Sequence, residues 1–332
     1  MTVGVGIIGC GLVGRKRAAA LPTGARLVSV FDQDRARAAE LIAGRVEDVD
    51  RATTVEQLLG RDDLDLVVIA TPHRDLAGLS AAALDAGKHV LVEKPGAIDV
   101  AEARLVAQHA VSGQRLVRVG FNHRFHPSFR EAKQIIDRNE YGRVLHIRGR
   151  YGHGGRLGYE REWRADPVLS GGGELIDQGI HLIDLNRYLT GDVELAFSAL
   201  RTEFWAMAVE DNAFIALRSL SGTVAWLHAS WTEWKNLFSF ELMLERAKLE
   251  VTGLGGSYGV ETLTIYEMLP EMGPPRSRTQ EWAHEDTSWG AELTDVLGEI
   301  GGQPRVGSNI DDAVAALSIV DAAYRSRDDG QP

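Results

Sequence analysis

An aspartate and a histidine stand four positions apart in the segment SGGGELIDQGIH, which runs from Ser170 to His181. Residues at that spacing are neighbours on one face of a helix, so the carboxyl of Asp177 and the imidazole of His181 are expected to lie close together. An imidazole, with an unperturbed pKa of about 6.5, can take up or release a proton at neutral pH. Such pairs also occur as surface or capping pairs, so proton-transfer chemistry requires other elements to converge on this one.

The helix that carries the pair is predicted over Glu174 to Leu189 and ends before Gly191. Its leucines and isoleucines form apolar faces, while Asp177, His181 and Asp184 lie on another line of the helix. Gly179 stands inside the helix, where glycine costs about 1 kcal/mol relative to alanine. We therefore expect another group to approach the helix closely at Gly179.

A glycine motif, GCGLVG from Gly9 to Gly14, follows the apolar run Val5 to Ile8. A G-x-G-x-x-G that opens a helix allows a tight turn and a close approach of a pyrophosphate to the backbone. Asp32 follows Gly14 by eighteen residues, close to the spacing of about 20 for a carboxylate that binds the ribose hydroxyls. Because such a carboxylate repels a 2′-phosphate, NAD is favoured over NADP. The dinucleotide-binding residues of this motif are Gly9, Cys10, Gly11, Leu12, Val13, Gly14 and Asp32.

Strands and helices must alternate to position these groups. Five apolar runs are predicted as buried parallel strands: Val5 to Ile8, Leu27 to Phe31, Leu66 to Ala70, His89 to Val92 and Leu116 to Gly120. Between them lie helical patterns over Arg15 to Ala20, Asp34 to Ala43, Leu76 to Ala86 and Ala101 to Ala110. Strict alternation predicts a doubly wound sheet, in which ligands bind beyond the carboxyl ends of the strands. Thr71 to His73 and Glu93 to Pro95 follow two of those ends.

The second half of the chain is different, because strand-like runs follow one another with few helices between them. Phe214 to Arg218, Thr223 to Trp231 and Leu237 to Leu244 are predicted as strands, and Glu245 to Ala247 as a hairpin turn. This pattern predicts a large, mostly antiparallel open sheet. The fold class is therefore α/β, with a dinucleotide-binding Rossmann domain over 1–122 and a second α/β domain over 123–332.

Four motifs together resemble the Gfo/Idh/MocA oxidoreductases: GCGLVG, the TP dipeptide at Thr71, GKHVLVEKP from Gly87, and SGGGELIDQGIH from Ser170. The resemblance covers nearly the whole chain. It implies a Rossmann domain followed by an α/β domain whose open sheet often mediates dimers or tetramers. It also implies oxidation or reduction of one secondary alcohol or ketone on a sugar, an inositol or a sugar nucleotide.

The resemblance places the catalytic residues on Lys94, Asp177 and His181. Removing a hydride from a carbinol carbon creates a carbonyl, so a base must take the hydroxyl proton, and His181 suits that role. Asp177 can orient the imidazole and stabilise its cation, and Lys94 can donate to the substrate oxygen. Further cofactor contacts are implied at Thr71, Pro72, His73, Glu93, Lys94 and Asn122. Many relatives read TPN with a histidine three positions later, whereas this chain has His73 and Leu76 there, so His73 departs from the family pattern.

Substrate contacts implied by the resemblance flank the same residues. Aromatic faces suit the C–H surface of a sugar, and guanidinium and imidazole groups bind its hydroxyls. The substrate-binding prediction comprises Lys94, Arg124, His153, Trp163, Arg164, Asp177 and His181. An alternative leaves Trp163 in the core and Arg164 in a structural ion pair. The segment WTEWKNLFSFE, from Trp231, is more typical of sheet packing or an oligomer face than of a ligand platform.

Composition limits the partners. The 332 residues are 44% apolar and 25% charged, with a net charge of −11, which argues against nucleic-acid binding. No apolar run approaches the length of a membrane span, and the basic residues Arg15 to Arg17 follow the first apolar run, which disfavours an export signal. With the single cysteine Cys10, these features predict a cytoplasmic protein. The resemblance further implies a homo-oligomer, a dimer or tetramer, that binds NAD and a small sugar-like substrate and no metal.

Two other functions remain open. One is a redox-assisted glycosidase, which oxidises a sugar transiently, eliminates the aglycone and recycles bound NAD. The other is a non-catalytic dinucleotide sensor, although a sensor has no need of Lys94, Asp177 and His181 together.

Overall fold

The computed structural model describes residues 2–46, 48–271 and 273–328. The chain forms two compact units. Unit 1 comprises Met1–Asn122 and Trp289–Ala315, and unit 2 comprises His123–Ser288 and Ala316–Pro332. The boundary after Asn122 coincides with the predicted one. The predicted division placed all of 123–332 in one domain, whereas the structure groups Trp289–Ala315 with unit 1.

The helices and strands alternate through residue 120, and strands dominate thereafter. In chain order they are β1 Val3–Ile8, α1 Leu12–Ala19, β2 Ala25–Phe31, α2 Arg35–Ile42, β3 Asp50–Arg51, α3 Val55–Leu59, β4 Leu66–Ile69, α4 His73–Asp85, β5 His89–Glu93, α5 Val100–Gly113, β6 Val117–Gly120, α6 Pro127–Asp137, β7 Val144–Gly152, α7 Pro167–Ser170, α8 Ile180–Thr190, β8 Val193–Arg201, β9 Asn212–Ser219, β10 Val224–Ser230, β11 Leu237–Leu244, β12 Ala247–Thr252, β13 Glu261–Glu267, β14 Arg276–Trp282, α9 Ser288–Ile300 and α10 Ile310–Asp328.

Unit 1 is built on a six-stranded parallel sheet in the order β3-β2-β1-β4-β5-β6. This confirms the predicted doubly wound sheet, with all five predicted strands present. The short β3 and α3 were not predicted. Two residues of strand and five of helix carry too little apolar periodicity for a pattern to be recognised.

The segment 289–315 returns to unit 1 because it has apolar and ionic partners there. Leu293 and Val296 of α9 belong to the same buried cluster as Val5 and Leu66. Arg118, at the centre of β6, donates to the carboxylates of Asp295 and Glu299 and to the Ser308 carbonyl. These contacts connect residues that lie about 180 positions apart, so local sequence patterns do not reveal them.

Unit 2 contains an eight-stranded sheet in the order β14-β13-β12-β11-β7-β10-β9-β8. Among the described residues, β7 and β10 form its one parallel pair. The predicted mostly antiparallel sheet is confirmed, and the turn between β11 and β12 falls where it was predicted. The predicted site helix is also present, but it starts as a π-helical turn, Leu175–Gly179, before α8.

Candidate active site

The glycine loop of unit 1 presents open backbone at the start of α1. Among the described residues, no side chain caps α1, and no atom beyond the chain neighbours of Gly11 lies within 4 Å of where a Cβ on Gly11 would stand. A Cβ on Gly14, by contrast, would lie 1.9 Å from the Gly9 carbonyl oxygen. Gly14 thus permits close contact within the loop, and Gly11 leaves room for a pyrophosphate at a helix N-terminus, whose N–H groups attract negative charge.

Asp32 lies at the end of β2 and is brought directly to this loop. Its Oδ2 accepts the Cys10 backbone N–H at 2.7 Å, and its Oδ1 accepts the Asp34 N–H at 2.8 Å. The carboxylate is therefore fixed and has further lone pairs for hydroxyl donors. Burial, with the adjacent Asp32 charge, raises the pKa of the Cys10 thiol to about 12, so Cys10 is not a thiolate nucleophile at neutral pH.

The predicted contacts after β4 and β6 lie at strand ends in unit 1. Thr71 has a buried Oγ1 that makes no hydrogen bond within the described residues. A buried hydroxyl of this kind can form its hydrogen bond with a ligand. Pro72 precedes α4, and His73, 3% exposed, is its first residue. Asn122 is 4% exposed and follows β6. Together with the glycine loop and Asp32, these groups fit a bound dinucleotide.

Lys94 follows β5 and is half-buried, next to a buried ionic cluster. The preceding Glu93 accepts from Arg17 Nε at 2.6 Å, and Arg17 Nη1 lies 2.6 Å from Glu292. Arg17 is fully buried and stacks on Trp289 at 4.5 Å from the ring centroid. Arg17 is a residue of α1, so this cluster connects the helix that follows the glycine loop to β5, the strand that precedes Lys94. Sequence reasoning did not find Arg17.

In unit 2, packing explains two of the three glycines before the site helix, Gly172 and Gly173. A Cβ on Gly172 would lie 2.0 Å from the Tyr324 hydroxyl, and one on Gly173 would lie 2.0 Å from the Glu210 carbonyl oxygen. The Glu210 carboxylate accepts the N–H groups of Gly173 and Leu175 and the Tyr324 hydroxyl. Burial raises the pKa of Glu210 despite these donors. The glycines thus let the backbone wrap a buried acceptor that fixes the start of the site helix.

The site helix also makes the close approach that Gly179 indicated. A Cβ there would lie 3.0 Å from Leu175 Cδ1 and 3.4 Å from the Cβ of Ala229 on β10. The π-helical turn inserts an extra residue just before α8, and such turns are frequent at functional sites. It carries Asp177, while His181 is the second residue of α8.

Asp177 binds the guanidinium of Arg164. Arg164 Nε donates to Asp177 Oδ2 at 2.9 Å, and its guanidinium carbon lies 4.5 Å from the centroid of the Trp163 ring. The Asp177 side chain is 7% exposed, so the charge-assisted bond is screened little by solvent. The structure thus brings together three predicted residues. Arg164 is in an ion pair, as the alternative expectation proposed, and Trp163 lies against Arg164.

His181 stacks on His123. Their ring centroids are 3.9 Å apart and their planes 24° apart, and each residue is 6% exposed. Tyr151 packs on both, with centroids 5.4 Å from His123 and 6.2 Å from His181. His123 was missed although it stands inside the NHRF segment, because its neighbours Asn122 and Arg124 were the residues the resemblance indicated.

His153 has a defined tautomer. The Gly155 backbone N–H donates to His153 Nδ1 at 2.9 Å, so the proton of the neutral ring is on Nε2. Burial lowers the pKa of His153, the Arg164 and Arg156 cations lower it further, and Asp177 opposes them. His153 is therefore a neutral donor at neutral pH, able to bond to a hydroxyl.

Arg124 is held by a buried carboxylate rather than left open. Its Nε and Nη2 bond to the two oxygens of Asp184 at 2.9 and 2.5 Å, and Asp184 is 1% exposed. The pair joins the segment after β6 to α8. This bidentate geometry gives the guanidinium a structural function, and substrate binding by Arg124 stays a prediction.

Tyr258 completes the surroundings of the site helix. Its hydroxyl accepts from Gln178 Nε2 at 3.4 Å, and its ring lies 5.1 Å from that of Tyr151. Burial raises the pKa of Tyr258 to about 12, so the phenol stays protonated. The glycine-rich loop that carries Tyr258 thus lies against the site of its own chain, which its sequence did not indicate.

The described residues contain neither a metal-binding cluster nor a membrane-spanning helix. No group of three or more His, Cys, Asp or Glu side chains in residues 2–46, 48–271 and 273–328 is arranged to hold a metal ion. Within the same ranges, no helix combines the length and the apolar character needed to cross a bilayer.

Comparison with protein families finds two matches that follow the two halves of the chain. Residues 3–121 match an oxidoreductase family with an NAD-binding Rossmann fold. Residues 129–258 match the GFO/IDH/MocA C-terminal domain. The two matches together account for about three quarters of the chain.

Among individual proteins, the chain is 32% identical over 235 residues to inositol 2-dehydrogenase 2 of Saccharopolyspora erythraea, a match that covers 68% of this chain and 65% of that protein. It is 27% identical over 342 positions to inositol 2-dehydrogenase of Rhizobium meliloti, covering 98% of this chain and 97% of the relative. A solved levoglucosan dehydrogenase in complex with NADH and levoglucosan has a TM-score of 0.87 at 22% identity, over 99% of this chain and 98% of the other. The last likeness is one of fold.

Proposed function

The chain belongs to the Gfo/Idh/MocA oxidoreductases, and from that membership we propose that it transfers a hydride between NAD and one secondary alcohol or ketone of a sugar or cyclitol. Unit 1 is an NAD-binding Rossmann domain. The observation that carries the proposal is the site helix, which fixes a carboxylate and an imidazole one turn apart by buried contacts. Relatives named inositol and levoglucosan dehydrogenases support the substrate class.

The residues of this chain have separate tasks in the proposed reaction. Gly9 to Gly14 and Asp32 hold the dinucleotide, which when bound accepts or supplies the hydride. His181 takes the hydroxyl proton during oxidation and returns it during reduction. The stack with His123 holds the imidazole ring in position, and Asp177, itself fixed by Arg164, stabilises the cation that results. Lys94 donates to the substrate oxygen.

NAD is proposed over NADP because the Asp32 carboxylate is fixed at the end of β2. A 2′-phosphate carries negative charge and would be repelled there. We also propose that the protein is cytoplasmic and that it forms a homo-oligomer, a dimer or tetramer, as its family implies. Light scattering on the purified chain tests the oligomeric state directly.

A substrate panel tests the activity. myo-Inositol, scyllo-inositol, levoglucosan and glucose are each supplied with NAD or NADP, and NADH formation is followed by absorbance. We expect NADH in proportion to the substrate consumed for at least one compound. A p-nitrophenyl glucoside is added to the panel, because a redox-assisted glycosidase would release its aglycone without net NADH. A sensor would bind NAD tightly with no turnover of any compound.

Replacing the base tests the role of His181. His181→Ala should lower kcat by about 100-fold or more, the scale of a lost general base, while NADH affinity persists. His109→Ala is the matched control, because His109 lies on α5 and is hydrogen-bonded to Asp85 at 2.7 Å. Unchanged turnover of the His181 variant would remove this residue from the mechanism.

A further inference from the structure

Three aromatic residues of unit 2 form a surface that the proposed chemistry does not use. Phe204 and Trp234 are 59% and 62% exposed, and their rings meet nearly at right angles with centroids 4.6 Å apart. Trp205 packs on Phe204 at 5.1 Å. We call Phe204, Trp205 and Trp234 the aromatic corner. Large apolar side chains exposed together usually mark a binding surface.

Hydrogen bonds to neighbouring groups fix the position of the aromatic corner. Trp205 Nε1 donates to the Trp231 carbonyl at 3.0 Å. The carboxylate of Asp211 accepts the backbone N–H groups of Glu203, Phe204 and Trp205 at 2.8 to 3.0 Å. These donors lower the pKa of Asp211 although burial opposes them. The loop of Phe204 is thus fixed by a buried anion before any ligand binds, which reduces the entropy lost on binding.

The corner is also continuous with a predicted substrate contact. The Glu233 N–H donates to the His153 carbonyl at 3.3 Å, which places Trp234 beside the His153 segment. A Cβ on Gly154 would lie 3.2 Å from Trp234 Cε3. On the other side, the Tyr159 ring packs between His153 at 5.6 Å and Trp205 at 5.7 Å. A molecule that His153 binds through a hydroxyl can therefore extend onto the corner.

Charge indicates what kind of extension fits. The residues that flank the exposed rings in sequence are Glu203, Glu233 and Lys235, two carboxylates and one ammonium. That balance disfavours the diphosphate of a sugar nucleotide. An uncharged pyranose ring, by contrast, has a flat C–H face that covers aromatic carbon well and hydroxyls at its edge that reach polar neighbours.

We propose that the aromatic corner is a subsite for a second pyranose ring, so that the substrate is a neutral glycoside whose reacting ring is bound beside His153. The proposal rests on the proposed function for the identity of the reacting ring. It assigns Trp234 and Phe204 as specificity residues and predicts a preference for disaccharides over single sugars.

Calorimetric binding to the NADH-loaded protein tests this without turnover. The probes are glucose, maltose, cellobiose and uridine diphosphate. We expect at least one disaccharide to bind about 10-fold more tightly than glucose, the scale of one aromatic contact.

Trp234→Asn should remove this preference for the disaccharide over glucose and leave glucose binding unchanged. Asparagine is chosen because Trp234 has φ 52°, a left-handed conformation that asparagine tolerates. Phe204→Ala is the second variant and should reduce the same ratio.

Trp226→Ala is the matched control, since Trp226 is 47% exposed on β10, stacked on Phe197 at 5.7 Å. It should preserve the disaccharide preference. The proposal is overturned if the wild type shows no such preference, if the preference survives Trp234→Asn, or if uridine diphosphate binds at the corner instead. A change in the light-scattering mass of the Trp234 variant would show that a second copy of the chain covers the corner, which also overturns it. Absence of NADH formation in the substrate panel, with disaccharide binding intact, would contradict only the proposed function.

Discussion

The contacts of Arg164 distinguish between two roles for this residue: binding the substrate, and fixing Asp177. As a substrate contact it would contribute mainly to binding, and as the partner of Asp177 it would contribute mainly to catalysis. The 2.9 Å bond from its Nε to Asp177 and its packing on Trp163 favour the second role. Removing the cation would leave a buried carboxylate without this donor, which is unfavourable.

Arg164→Met is therefore expected to lower kcat by ~10- to 100-fold, with KM for the sugar changed little. Arg164→Lys keeps the charge but loses the planar guanidinium, so partial recovery is expected. Steady-state kinetics on the active compound of the panel measure both constants. A large rise in KM with unchanged kcat would show that Arg164 contacts the substrate.

Asp32 gives the second prediction at this scale. Asp32→Ala removes the carboxylate that would meet a 2′-phosphate and also removes an acceptor from the Cys10 N–H. NADH affinity should fall by about 10-fold, while NADPH affinity should rise or stay constant. Fluorescence titration with both nucleotides measures the ratio. Asp34→Ala, which removes the helix cap next to it, is the control and should leave that ratio unchanged. A ratio that is the same in the Asp32 variant would contradict the proposed NAD preference.

The individual residues were predictable from sequence where spacing carries the information. The glycine loop, Asp32 and the pair Asp177 and His181 follow motifs, and the structure places them on the expected elements. His123, Arg17 and Tyr258 have no such spacing. Their role depends on a ring stack, a buried ion pair and a loop contact that join distant parts of the chain.

At the scale of elements, the three glycines connect the sequence pattern to the rigidity of the site. A run of three glycines, taken alone, predicts a flexible start to the helix. The structure instead packs Gly172 against Tyr324 and Gly173 against Glu210, so the start is fixed. The helical period predicted the helix itself. It could not predict the π-helical turn, because that turn depends on contacts with β10 and with Glu210.

Substitution at Gly172 tests this packing. Gly172→Ala would place a Cβ 2.0 Å from the hydroxyl of the half-buried Tyr324, and overpacking of this kind costs about 1–3 kcal/mol. The control is Gly78→Ala in α4, where no atom of the described residues outside the adjacent helix backbone lies within 4 Å of a new Cβ. Helix propensity should stabilise this variant by up to about 1 kcal/mol. Urea unfolding measures both. Equal free energies of unfolding for the two variants would mean that Gly172 is not constrained by Tyr324.

At the scale of the whole molecule, the chain leaves unit 1 after Asn122 and returns to it at Trp289. The alternation of strands and helices predicted the fold of the first 122 residues, because the longer strands and helices each have a local sequence pattern. The return was not predicted, because its information lies in long-range pairs: Arg118 with Asp295 and Glu299, and Arg17 with Glu292. The second of these pairs makes a stability prediction that depends on pH.

Burial raises the pKa of Glu292 to about 7, with the Glu93 carboxylate adding to the rise and Arg17 opposing it. The folded chain therefore holds a proton on Glu292 that the unfolded chain, in which the carboxyl has its ordinary pKa of 4.5, releases at lower pH. A raised carboxyl pKa contributes stability that is present below pH 4.5 and is lost as the pH rises to about 7.

Glu292→Gln keeps a neutral side chain at every pH. The wild type should consequently lose stability relative to this variant as the pH rises through that window, measured by urea unfolding at several pH values. Glu40→Gln, which removes an exposed carboxylate paired with Arg15, controls for the loss of one charge. A stability difference between wild type and Glu292→Gln that is constant across the window would show that the carboxyl is ionised throughout, so that Arg17 is held between two anions rather than between one anion and one acid.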